Sequence, residues 1–377
     1  MQKSLYCSEK FNSIELKVES RSLFNCCWAH PERIDLEKCD KDPTLMLCSD
    51  QMVKDRTLML QNKKFHSCDH GCFKHEDLGK ISERLKYDNQ TVTSTDVHKI
   101  PSTVTISLSS DCNLSCVYCV PDLSSSWRRQ VKEHGQMGDN NYTPFNKLQD
   151  ALKQKQRSSQ TKFLDILMRA IEINKKHIKR IKFTGGEPLL NSTLYDLIEK
   201  INNVKIVIIS GLGVSDTQLD KCLKNIKGKN VEFQISGEAT GKHFEFIRYG
   251  NNWENFNNKI KKIQSAGVPI TCIMSISNLS IFSCNEYYEH FKNFPIIVDP
   301  VNNPSFMSMN VLDEQSKQKF LNKDTNHLYF ENTIQDMSVP YTENDRLKLQ
   351  NYLKQLVAVR NVDLQIFPQH FLDWVNN

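Results

Sequence analysis

Two short stretches of the chain carry side chains whose types and spacing can do chemistry. SSDCNLSCVYC sets Cys112, Cys116 and Cys119 in a CxxxCxxC pattern, and KFTGGEPLL sets Gly185, Gly186, Glu187 and Pro188 in a row. Three thiolates at the first spacing can wrap one face of a cubane iron-sulfur cluster, whereas a 4Fe-4S cluster fully held by protein takes four cysteines. The missing ligand leaves one iron open to a chelating molecule. The rival readings are a zinc knuckle and burial of soft hydrophobes. Zinc wants a fourth Cys or His close by, and after Cys119 the first is His134, in a polar segment. In the second stretch, paired glycines let backbone approach a ligand closely, and Glu187 offers a carboxylate to a cationic amine. Alone, it reads as a strand-to-helix turn with Pro188 at the helix start.

The elements that position these stretches follow from the hydrophobic pattern. From residue 103 onward, short β-branched runs alternate with amphipathic segments, which predicts parallel strands with helical crossovers. The strands are Thr103 to Leu108, Arg180 to Phe183, Val204 to Ile209, Val231 to Ile235, Ile270 to Ile276 and Ile296 to Val298. Helices are predicted over 162–176, 192–202, 215–226, 253–266 and 284–292. Six such units predict an α/β fold, a partial and open (β/α)6 barrel, with its site at the carboxyl ends of the strands. TVTISL runs directly into the three cysteines and RIKF directly into TGGEP, so both stretches fall at strand ends. Residues 121–161 interrupt the rhythm with a long polar insertion, a candidate lid. No internal repeat is present.

CxxxCxxC with Tyr118 just before the last cysteine, followed about 65 residues later by TGGEP, resembles the radical S-adenosylmethionine (radical SAM) superfamily over roughly 105–300. The resemblance implies that the open iron binds the amino and carboxylate groups of S-adenosylmethionine. One electron then splits the sulfonium, giving a 5'-deoxyadenosyl radical that abstracts hydrogen. It also implies cofactor-binding roles for Tyr118 and Gly185 to Pro188, the latter at the methionine amino group. Ser210 and Ser236 would contact ribose and carboxylate, and Arg248, in FEFIRYG, the carboxylate. Each of the last three also reads as a cap or a surface residue. The family often has TNG and SIDG at these two strand ends, where this chain has SGLG (210–213) and ISGE (235–238), which leaves the ribose contacts open. As a dinucleotide fingerprint, SGLG lacks the third glycine.

Seven of the 13 cysteines lie before residue 73, so the chain has a cysteine-rich head. IELKVE and SLFNC, within 14–26, predict a β-hairpin, although Ser-Arg is not a favoured turn. Cys7 precedes it, Cys26 and Cys27 close it, and HSCDHGC adds Cys68 and Cys72. The head, roughly 5–85, resembles the twitch or SPASM-type auxiliary domains of radical SAM enzymes, here placed before the barrel. That implies a second 4Fe-4S cluster held by Cys7, Cys26, Cys68 and Cys72, with Cys27 the rival to Cys26. Zinc is the alternative metal, helped by His66, His70 and His75. Cys39 and Cys48 sit in a polar connection, and Cys222, Cys272 and Cys284 in helix, strand and helix-start contexts.

The expected organisation is therefore a cysteine-rich auxiliary-cluster domain (1–85), a polar linker (86–102), a radical SAM partial barrel (103–300) and a C-terminal helical extension (301–377). With 39% apolar and 25% charged residues, the 377-residue chain has the composition of an ordinary folded protein. Its net charge of +5 is spread out, which argues against nucleic acid as partner. The start MQKSLYCSEKF has no apolar leader core, and no run approaches the about 18 apolar residues of a membrane span, so a cytosolic enzyme with reduced thiols is expected. Resemblance implies a flavodoxin- or ferredoxin-type electron donor and a peptide or protein side chain as substrate, with small-molecule dehydrogenation or rearrangement second. A hypothesis of another class is a zinc-stabilised binding protein, which leaves TGGEP without a role.

Overall fold

The computed structural model describes residues 4–26, 29–77, 82–86, 91–137, 157–322, 330, 334 and 337–377. Cys27, the side chains of His70 and His75, residues 87–90 of the linker and 138–156 of the insertion lie outside the described residues. The chain forms two compact units. One comprises Met1–Ser109, Lys147–Ile208 and Gly228–Asn230, the other Ser110–Asn146, Ile209–Lys227 and Val231–Asn377.

In the first unit the strands are β1 (Ser13–Lys17), β2 (Ser22–Phe24), β3 (Glu32–Arg33), β4 (Thr103–Ser107), β5 (Arg180–Thr184) and most of β6 (Lys205–Ser210), in the order β3-β2-β1-β4-β5-β6. The expected hairpin is present as β1 antiparallel to β2, with Glu15 opposite Phe24. Its unfavoured turn is accommodated by Arg21, which adopts φ 54°. The hairpin continues the larger sheet: β1 lies parallel to β4, Ile14 opposite Val104, and β4 to β5 and β5 to β6 are parallel as well. Parallel strands covered on both faces read as near-continuous apolar runs, which is why KIVIIS in β6 was legible. The helix Arg157–Asn174 precedes β5 and buries Phe163, Ile166, Leu167 and Ala170 completely.

The second unit holds β7 (Val231–Ser236), β8 (Ile270–Ile276) and β9 (Ile296–Pro300), parallel in the order β7-β8-β9. Helices Trp253–Ser265 and Cys284–Phe291 connect them. Phe233, Ile235, Cys272, Met274, Phe256 and Tyr287 form a closed core here. Helix starts carry the caps the sequence supplies: Ser215 with Gln218 and Thr342 with Asp345 are reciprocal capping boxes. The fold is thus α/β with a mostly parallel sheet. Among the described residues, no helix is long and apolar enough to cross a membrane.

Candidate functional site

β4 ends at Ser107, and the chain runs into the cysteine loop of the second unit. That loop is held from several sides. Ser115 N–H donates to the Tyr249 carbonyl and Val117 N–H to that of Ile247, both at 2.9 Å. Ser124 Oγ donates to the Leu114 carbonyl at 2.7 Å, and Ser125 Oγ accepts from Cys112 N–H at 3.0 Å. These serines open the helix Ser125–His134, so the first described part of the expected insertion backs the cysteines. Trp127, 1% exposed, donates its Nε1 proton to the Cys116 carbonyl at 2.8 Å. From the C-terminal helix Glu343–Arg360, the Tyr352 hydroxyl donates to the Val117 carbonyl at 2.5 Å. Leu114 packs on Gly213, where an added Cβ would lie 2.5 Å from Leu114 Cγ. SGLG therefore seats the cysteine loop. With its polar backbone groups satisfied this way, the loop can present thiols in a fixed frame.

Cys116 is buried, Cys112 and Cys119 half-buried. Burial, then the neighbouring Cys116 and, more weakly, Cys112 push the Cys119 thiol up to about 12. Cys116 is also raised by burial, against the pull of Arg248. Cys119 thus feels the other two sulfurs, and for it and the buried Cys116 a lone thiolate is costly, a preference that a bound cation reverses.

Arg248 Nη1 lies 3.9 Å from Cys116 Sγ. The same guanidinium makes a forked pair with Glu238, Nη2 to Oε2 at 2.6 Å and Nε to Oε1 at 3.0 Å, and Tyr118 Oη donates to Glu238 Oε2 at 3.1 Å. The Arg248 guanidinium carbon also stands 5.4 Å from the Tyr118 ring centre. The Arg248 and Glu238 side chains are 6% and 0% exposed. Burial alone works against the Arg248 charge, but Glu238 and then Tyr118 and Cys116 outweigh it and hold its pKa well above the ordinary value. Burial raises the Tyr118 phenol well above its usual range, so it donates as a neutral hydroxyl. Glu238 belongs to the ISGE segment and had no role assigned from sequence. The available signal was its position just past the end of a parallel strand.

Among the other sequence-predicted residues, Ser210 is buried at the end of β6 and accepts from Leu212 N–H at 2.9 Å. Ser236 is half-buried at the end of β7. In the first unit, Gly185 takes φ 129°, and a Cβ there would lie 2.4 Å from the Ser109 carbonyl oxygen. Gly186 N–H donates to that carbonyl at 2.8 Å, which fastens TGGEP to the backbone three residues before Cys112 in sequence. Glu187, 2% exposed, caps the 3-10 turn Pro188–Leu190 by accepting from Leu189 N–H at 3.3 Å.

The head cysteines Cys7, Cys26, Cys68 and Cys72 all belong to the first unit. Cys7, Cys68 and Cys72 are buried and Cys26 half-buried. Burial first, then Cys26, drives Cys7 up to about 12, with Cys72 adding to the rise. Cys68 is pushed up to about 11 by burial, with Cys72 and Cys26 adding and Lys10 opposing. Cys39 and Cys48 are buried elsewhere in the unit, Cys48 Sγ accepting from Arg56 at 3.5 Å. His66 is 78% exposed and pairs with Asp69. Among the described residues, no three Cys, His, Asp or Glu side chains are already drawn to metal-ligand geometry. By donor type alone, cysteine thiols are the ligands an iron-sulfur cluster takes.

Residues 106–281 match the Radical SAM superfamily model. A GTP 3',8-cyclase from Clostridium acetobutylicum is 26% identical over 133 residues, 34% of this chain and 33% of that protein. The match thus spans a third of the length of that relative. Among solved structures, native anSMEcpe with bound AdoMet aligns at 17% identity and TM-score 0.39, covering 66% of this chain and 65% of that one. Streptococcus suis SuiB bound to precursor peptide SuiA aligns at 14% identity and TM-score 0.35, covering 95% of this chain and 71% of that one.

Proposed function

We propose that the protein is a radical SAM enzyme that modifies a peptide or protein side chain by hydrogen abstraction. Cys112, Cys116 and Cys119 would hold the site-differentiated 4Fe-4S cluster, and Gly185 to Pro188 the methionine amino group. The observation that carries the reading is the buried Arg248 guanidinium, 3.9 Å from the Cys116 thiol and braced by Glu238 and Tyr118. With Nε and Nη2 held by Glu238, Nη1 is the donor left beside the cluster ligand for a carboxylate that must reach the metal. When bound, the cluster and S-adenosylmethionine supply an electron and a 5'-deoxyadenosyl radical for hydrogen abstraction.

The chain's own residues do the rest. Trp127 and Tyr352 close over the backbone of Cys116 and Val117 and keep water from it. Ser210 and Ser236, at strand ends, offer hydroxyls for the ribose and carboxylate. Cys7, Cys26, Cys68 and Cys72 would hold an auxiliary 4Fe-4S cluster, with Cys27 the alternative to Cys26, and a flavodoxin or ferredoxin would supply electrons.

Anaerobic purification with metal analysis tests this directly. About eight irons per chain fit two clusters, and about four fit one. Reduction with dithionite in the presence of S-adenosylmethionine should release 5'-deoxyadenosine, and a colourless zinc protein that releases none would sink the proposal.

A further inference from the structure

Lys10 is 1% exposed and sits among the segments that carry the head cysteines. Its Nζ donates to Asn25 Oδ1 at 2.5 Å and to Ser67 Oγ at 2.8 Å, the residues just before Cys26 and Cys68. Its backbone N–H donates to the Cys7 carbonyl at 3.3 Å. Lys10, by side chain and backbone together, therefore ties three of the four cysteine-bearing segments. Behind it, Asp55, also buried, lies 3.7 Å from Nζ. Asp55 is fixed by Ser67 Oγ, by Gln51 Nε2 at 2.8 Å and by Asn25 Nδ2 at 3.4 Å.

A buried lysine is expensive unless its charge has a use and a partner. Asp55 supplies the partner. The use lies in its placement: the ammonium holds the side chains of Asn25 and Ser67, the chain neighbours of Cys26 and Cys68.

We propose that Lys10 is a positioning and charge-compensating residue for the site formed by Cys7, Cys26, Cys68 and Cys72, where its ammonium offsets the negative charge of the thiolates and holds the auxiliary cluster at a higher reduction potential than it would otherwise have. This rests on the reading of those cysteines as a cluster site. Four thiolates around a 4Fe-4S core leave it net negative, and each added electron increases that charge. A fixed positive group in a low-dielectric surrounding favours the reduced form. Asn25 and Ser67 aim the ammonium, so the effect depends on geometry as well as on charge.

The test is a potentiometric titration with dithionite, followed by electron paramagnetic resonance, on the full chain and on Lys10→Met. Adding S-adenosylmethionine perturbs the open-iron cluster alone and so assigns the two signals. Lys10→Met is expected to keep about eight irons while the auxiliary cluster moves to a more negative midpoint potential and the other cluster stays in place. A second variant, Lys10→Met with Asp55→Asn, removes both buried charges, so an orphaned carboxylate cannot unfold it. Its auxiliary cluster should also shift negative, by less. An unchanged auxiliary potential in the folded double variant overturns the proposal. A parent protein with about four irons, whether or not zinc is present, overturns the underlying cluster site, and the inference with it.

Discussion

Arg248 and Glu238 stand ten positions apart at the end of β7 and the helix that follows, and their side chains form a buried forked ion pair, Nη2 to Oε2 at 2.6 Å. The pair leaves Nη1 directed at Cys116. Removing the acid strands a buried cation, which costs about 3–5 kcal/mol, so Glu238→Ala should unfold at clearly lower denaturant. Glu238→Gln keeps the shape and one acceptor while freeing the guanidinium to turn. It should retain its iron but bind S-adenosylmethionine about tenfold more weakly, a loss of about 1.4 kcal/mol. Calorimetric titration checks this, and undiminished affinity would remove Glu238 from the site.

Cys116 is the most enclosed of the three loop thiols, and its carbonyl is held by Trp127. Cys116→Ala should lower the iron count by about four per chain and abolish release of 5'-deoxyadenosine. The helix Ser125–His134 and its hydrogen bond to residue 116 do not depend on the sulfur, so the far-ultraviolet spectrum should be unchanged. Undiminished turnover in this variant would take the first motif out of the mechanism.

The two glycine motifs separate by what a methyl group would meet. At Gly213 it meets the Leu114 side chain, which can rotate, so Gly213→Ala should cost about 1–3 kcal/mol as ordinary overpacking. At Gly185 it meets the Ser109 carbonyl at 2.4 Å with φ already at 129°, and neither is relieved by a rotamer. Gly185→Ala should therefore cost about 3 kcal/mol or more. Chemical denaturation of the two variants without cofactors ranks them, and equal losses would count against the strained turn.

Much of this architecture was legible because buried parallel strands write themselves as apolar runs: Ile270–Ile276 was read with the bounds it has. Motif spacing placed the cysteines and TGGEP at strand ends for the same reason. The parallel pairing of β1 with β4 was not legible, since Ile14 meets Val104 across 90 residues and nothing local encodes that partner. Glu238, Lys10 and Asp55 were missed for a related reason. Charged residues are almost never fully buried unless paired, and the pairs are tertiary facts. Trp127 and Tyr352 escaped because their backbone acceptors, at Cys116 and Val117, become neighbours only on folding.

Cys272 offers a pH test away from the proposed ligands. It is fully buried on β8, and burial, partly offset by the neighbouring Tyr287, raises its thiol from 9.0 to about 12. Because the folded-state value is raised, the folded chain keeps a proton that the unfolded chain gives up. This contribution is fully present below pH 9.0 and is lost as pH climbs toward about 12. Between pH 9 and about 10.5 the loss amounts to roughly 2 kcal/mol at most, at 1.36 kcal/mol per unit. Denaturant unfolding of the full chain at about pH 8 and 10.5, set beside Cys272→Val, isolates it. The variant should lose less stability than the parent over that interval, and parallel losses would mean that this thiol ionises as readily folded as unfolded.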